Sequence, residues 1–203
     1  LHLVISLIVM NSWLHHEKYE IHHINPAWFI PAVGNVIVPL AGVPLGYPEL
    51  SWFFFSIGMT FWLILMVIVF NRIIFHIPLP IKLLPTLFIL IAPPAVGFLA
   101  YIKLTGELDA FAQVLYNFAL FLTILLLSQL PRFARLPFFM SWWAYSFPLA
   151  AMSIASMVMG QISGKAFYGY IGQALLFALS ALVVLLFIKT LKAAQHGKIC
   201  VED

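Results

Sequence analysis

Four histidines, His15, His16, His22 and His23, bracket the polar run HHEKYEIHH and are the side chains whose type and spacing come nearest to a metal site. Imidazole ligands need fixed geometry and outer-shell support, which a short solvated loop supplies poorly. Two readings stand, a metal site and a polar loop at a membrane interface, and the second fits the run better. Cys200, the only cysteine, excludes an internal disulfide and reads as a reduced thiol near the C-terminus. No apolar stretch carries Asp, Glu, Lys, Arg or His away from its ends. Acid–base and metal catalysis need such groups, as do proton relays, coupling-ion sites and voltage sensors. Phosphate-binding glycine loops and nucleophile elbows are absent too. The expectation is no enzyme, no cofactor and no bound metal.

What remains is apolar. Of 203 residues 64% are hydrophobic and 8% charged, against about 25% charged in an ordinary soluble domain. Six stretches have the roughly 20 residues that a helix needs to cross about 30 Å of hydrocarbon. They lie near residues 25–45, 50–71, 83–102, 110–130, 137–159 and 167–188. Barrel strands would alternate in polarity, whereas Leu63 to Phe70 and Leu120 to Leu127 are apolar on every face. The fold class expected is an all-α integral membrane protein, one transmembrane domain over residues 1–203.

Residues 1–14 are apolar, too short to span, and lack the flanks of a signal peptide, so they read as the end of a truncated helix. Loop charge orients the rest. Lys18, Arg72, Lys82, Arg132, Arg135, Lys189, Lys192 and Lys198 fall on one side, and Lys103 and Lys165 on the other. The positive-inside rule then places the C-terminal tail, residues 189–203, in the cytoplasm. This accounts for the net charge of +3 without a nucleic-acid partner.

The six spans alternate in kind. NPAWFIPAVGNVIVPLAGVP, LPTLFILIAPPAVGFLAY and LPFFMSWWAYSFPLAAMSIAS are broken by proline and rich in small residues. Their partners, LSWFFFSIGMTFWLILMVIVF, AFAQVLYNFALFLTILLLSQL and FYGYIGQALLFALSALVVLLF, are smooth and bulky. Three consecutive hairpins follow. The tetrapeptide Pro31-Ala32-Val33-Gly34 recurs as Pro94-Ala95-Val96-Gly97, and Pro26, Pro85 and Pro137 open the broken spans, which suggests a repeated hairpin. Proline removes a backbone donor and bends a helix, a defect that lipid tolerates only where protein or water satisfies the freed carbonyl. Broken spans are therefore expected inside, around an axis, with smooth spans as the lipid-facing jacket. The plainer reading is that proline and glycine are common in membrane helices generally.

A conduit without charged side chains selects by diameter and by the dipoles of broken helices. Phe147, directly before Pro148, is the candidate plug, since Ala144, Ala150 and Ala151 lie at helical spacings of three and four from it. Simple packing is the alternative for any one of 19 phenylalanines.

The run Trp142-Trp143-Ala144-Tyr145-Ser146-Phe147-Pro148-Leu149, with Asn25 to Phe29 and Ala92 to Gly97, resembles the tellurite-resistance/dicarboxylate transporter family, which includes the bacterial TehA proteins and the slow anion channels of plant guard cells. The resemblance covers essentially the whole chain. It implies ten helices in five hairpins around a central pore, about seven of them in this chain, and a homotrimer whose subunits each have a pore. It implies that Phe147 occludes the pore and that Pro39, Pro94 and Pro148 match the family kinks. Gly34, Gly97, Ala144 and Ala151 are the further candidates for the pore lining. The function implied is an anion-selective channel of the bacterial inner membrane for small anions such as chloride or nitrate, linked to tellurite resistance. The alternative is a tellurite or dicarboxylate carrier, with proton coupling as one form of it. Small inorganic anions and membrane lipid are the partners expected.

Overall fold

The computed structural model describes residues 2–15 and 19–197, so His16, Lys18, Lys198 and Cys200 lie outside the described residues. Every element among the described residues is helical. Among the described residues, nine α-helices run from α1 (His2–His15) through α2 (Phe29–Val33), α3 (Val38–Gly42), α4 (Pro48–Phe75), α5 (Ala92–Thr105), α6 (Ala110–Leu127), α7 (Leu130–Ala134) and α8 (Ser146–Ser163) to α9 (Ala166–Gln195). Tighter 3-10 segments lead into them, notably Pro26–Trp28, Gly34–Ile37, Ile81–Ile91 and Met140–Tyr145.

Among the described residues, five stretches are long and apolar enough to cross a membrane: Pro48–Phe75, Ile81–Thr105, Ala110–Leu127, Met140–Ser163 and Ala166–Gln195. The segment expected over 25–45 is instead the shorter Pro26–Gly42, divided into four pieces. The cause is the prolines. A 3-10 helix rises about 2.0 Å per residue against about 1.5 Å for an α-helix, so these pieces still reach about 29 Å.

The prolines do not simply bend continuous α-helices. Pro39 is the second residue of α3, Pro93 and Pro94 the second and third of α5, and Pro148 the third of α8. In the first turn of an α-helix the N–H groups have no partner four residues back, so proline fits there without breaking a bond. Each broken span thus switches from 3-10 to α at its prolines.

Caps fix the hairpins. Asn25 accepts the Ala27 N–H at 2.9 Å with Pro26 next in line, a good start for a helical segment. Asp109 caps α6 by accepting the Ala112 N–H at 2.9 Å, and its other oxygen accepts the Tyr101 hydroxyl. Gly106 ends α5 at φ 74°, where a side chain would be strained. In the last hairpin, a Cβ on Gly160 would lie 2.9 Å from the Gly169 backbone nitrogen, so α8 and α9 approach backbone to backbone.

Burial separates the two kinds of span. Within the most apolar window of each, 78% of Ile81–Thr105 and 44% of Met140–Ser163 are buried, against 33%, 39% and 17% for α4, α6 and α9. The broken spans form the interior and the smooth ones the outside of three hairpins.

Candidate pore and gate

Between the three broken spans lies a cavity of about 540 Å³. The first span contributes Ala27, Phe29, Ile30, Val33, Gly34 and Ile37. The second contributes Thr86, Ile89, Ala92, Pro93 and Val96, and the third Ala144, Phe147 and Pro148. No residue of α4, α6 or α9 reaches it.

Four of the expected site residues therefore meet on one cavity: Gly34, Ala144, Phe147 and Pro148. Phe147 remains 52% exposed, because the second position of α8 holds its ring out of the packed core. The other four lie elsewhere. Gly97 faces the jacket, where an added Cβ would be 3.1 Å from Met59 Sδ and 3.7 Å from Leu115 Cδ1. Pro94 and Ala151 are buried in helix packing, and Pro39 is buried in the first span. The side that Ala151 shares with Phe147 in helical spacing is thus closed off one turn past Pro148. Pro93, Val96 and Ile89 line the cavity without having been expected there. Their signal was present in the double proline of APPAVG, but spacing alone does not say which of Pro93 and Pro94 turns inward.

The lining is apolar apart from Thr86, whose hydroxyl donates to the Leu83 carbonyl at 2.6 Å. Pro148 offers no N–H to the Ala144 or Tyr145 carbonyl behind it. A second cavity of about 520 Å³ adjoins the first at Ala27 and is lined by Trp13, Tyr19, His23, Asn25 and Trp28, among others. Trp13 and Trp28 stack at 5.1 Å between ring centres. The His23 carbonyl accepts both Trp28 Nε1–H and Asn25 Nδ2–H at 3.0 Å, tying this loop to the start of the broken span.

No group of three or more His, Cys, Asp or Glu among the described residues is arranged to hold a metal ion. His22 pairs with Glu20 at 3.1 Å, and the His22 and His23 rings lie 4.0 Å apart.

Ionisable groups keep to the helix ends as expected, but packing places two of them, Arg72 and His2, in ways hydropathy does not show. Arg72 lies within α4, which runs to Phe75, and is only 2% exposed. Its Nη1 donates to the Ile77 carbonyl past the helix end, a favourable position for a cation. His2 packs against the middle of the first broken span, where a Cβ on Gly34 would lie 2.9 Å from its ring. Both were missed for one reason: helix ends and partners are set by packing, which hydropathy does not report.

The profile of the SLAC1 family, described as voltage-dependent anion channel, matches residues 1–191. The chain belongs to this family. An uncharacterized transporter of Methanocaldococcus jannaschii is 29% identical to it over 217 residues, covering 96% of this chain and 63% of that protein. The S-type anion channel SLAH3 of Arabidopsis thaliana is 31% identical over 156 residues, 76% of this chain and 25% of that protein. The tellurite resistance protein TehA homolog of Haemophilus influenzae is 28% identical over 137 residues, 66% of this chain and 42% of that protein. The chain thus spans from a quarter to just under two thirds of these relatives. Membership in the SLAC1 family agrees with the helical architecture and the apolar spans, and makes this a multi-pass membrane protein.

Proposed function

We propose that the cavity between the three broken spans is part of a path for small inorganic anions such as chloride or nitrate, and that Phe147 closes it at rest. The observation that carries the reading is the placement of Phe147: a large ring, half exposed, in a cavity walled only by broken spans. Exposure is shared by Phe121 and Phe177 on the smooth spans, so it is the position of Phe147 on a wall made only of broken spans that sets it apart. The names of relatives support anions as the substrate, since SLAH3 is called an S-type anion channel. The uncharged lining suits passage without tight binding. The assembly proposed is a homotrimer in the bacterial inner membrane, in contact with lipid and with its C-terminus in the cytoplasm. A link to tellurite resistance follows the name of the Haemophilus influenzae relative.

The test is anion current through the full-length protein in planar bilayers under a chloride gradient. A current reversing at the chloride potential, small in the native protein and large in Phe147→Ala, supports the reading. A carrier for tellurite or dicarboxylates is the second reading, favoured by the titratable His2 beside Gly34. Substrate-dependent uptake without current in either protein would establish it.

A further inference from the structure

His2 is a titratable side chain placed against the middle of a membrane-crossing segment. Its depth follows from its contacts. An added Cβ on Gly34 would lie 2.9 Å from His2 Cε1 and 3.1 Å from Nε2, and Gly34 stands midway along Pro26–Gly42. Counted along α1, His2 is also about 20 Å from His15 at about 1.5 Å per residue, well inside the hydrocarbon.

The surroundings are polar but incomplete. His2 and Ser6 are four residues apart and share a face of α1. The Ser6 hydroxyl donates to the Pro31 carbonyl at 3.0 Å. Asn35, with no exposed surface, donates through Nδ2 to Ser6 Oγ at 3.2 Å and to the Ala32 carbonyl at 2.8 Å. Two buried atoms here have no partner, Asn35 Oδ1 and His2 Nε2. A neutral imidazole has one N–H, whereas the protonated ring has two. Protonation therefore gives the ring a donor on Nε2 whichever tautomer the neutral form adopts.

Among the described residues, the segment Phe29–Val33 that packs against α1, together with Gly34 and Asn35 beside His2 and Ser6, carries no charged or titratable side chain. Tyr19, His15 and His23 lie at the far end of α1, near Ser12 and Trp13. A cation buried in the membrane interior needs a partner, and Gly34 also borders the apolar cavity. Among the described residues, the cavity that Gly34 borders is a space able to receive a counter-charge.

We propose that His2 is a proton-binding site coupled to anion occupancy of the cavity bounded by Gly34. The proposal rests on reading that cavity as an anion path. Coupling of this kind is reciprocal, so a proton on His2 draws an anion in and an anion in the cavity holds the proton.

Two measurements test it. First, full-length protein labelled with 15N-histidine is placed in lipid nanodiscs near pH ~6.5, the ordinary range of an imidazole. The ring signal of His2, assigned by its loss in His2→Gln, is compared in chloride and in gluconate at equal ionic strength. Chloride is expected to raise the ratio of protonated to neutral ring by about fivefold or more. An equal ratio in the two salts overturns the proposal. Second, liposome anion flux is measured near pH ~6 and ~8 in Phe147→Ala alone and with His2→Gln or His2→Arg added. Flux stimulated by acid in the first, unstimulated with glutamine, and high at both pH values with arginine supports the coupling. Stimulation that survives His2→Gln overturns it. Absence of flux in Phe147→Ala together with a chloride-dependent ring ratio sinks the conduction reading while leaving the proton–anion site standing.

Discussion

The Ser153 hydroxyl donates to the Gly172 carbonyl at 2.7 Å, joining α8 to α9. A Cβ on Gly172 would lie 2.8 Å from the Ser153 carbonyl oxygen and 2.7 Å from Met157 Cγ. Backbone cannot yield as a side-chain tip can, so Gly172→Ala forces the hairpin apart. The expected loss is about 1–3 kcal/mol, read as a lowered thermal midpoint in detergent. An unchanged midpoint would mean that α9 shifts freely against α8.

Phe147 offers a graded series. If the ring blocks the path, Phe147→Leu should pass less anion than Phe147→Ala, and Phe147→Trp none. Since the ring is half exposed, Phe147→Ala should destabilise by less than the roughly 3–5 kcal/mol typical of a buried phenylalanine. Thermal unfolding and flux on the same preparations check both. Severe destabilisation with unchanged flux would return Phe147 to a packing role.

Thr86 carries the only side-chain hydroxyl in the cavity lining among the described residues. Thr86→Val keeps the shape and removes the bond to the Leu83 carbonyl, a change of about 1 kcal/mol in stability. An anion passing Thr86 has to compete with the Leu83 carbonyl for that one hydroxyl proton; with the hydroxyl removed, entry depends more on how readily the anion sheds water, so the nitrate-to-chloride permeability ratio should rise. Reversal potentials under mixed gradients measure it, and an unchanged ratio would remove Thr86 from the path.

The acid side of the stability profile should report Asp109. The Ala112 N–H first, and the Tyr101 hydroxyl second, hold its carboxyl below the usual carboxylate range. A group whose folded value is depressed contributes stability above its unfolded value and loses it as pH falls through the folded one. Native protein should therefore lose midpoint temperature through the acidic carboxylate range. Asp109→Ala should start a few degrees lower and show a shallower acid slope. Parallel slopes in the two proteins would sink this account.

Hydropathy, proline placement and the alternation of two span types were enough to establish a helical membrane protein of three hairpins with broken spans inside. Those features follow from local chemistry: an apolar run of some 20 residues has few alternatives in lipid, and proline has few places in a helix. The YSFP run likewise pointed to Phe147 and Pro148, both of which line the cavity. Spacing could not say which residues of a broken span turn inward, because the switch from 3-10 to α resets the angular period. Pro93 lines the cavity while Pro94 does not, and Ala144 does while Ala151 does not. Nor could spacing bring His2 to Gly34 or carry α4 past Arg72, since both depend on which helices meet. The sequence by itself determined the class of fold and singled out Phe147, a residue of the cavity lining. Tertiary packing decided the cavity wall and brought the titratable His2 to Gly34, because contacts between distant segments are a property of the assembled helices alone.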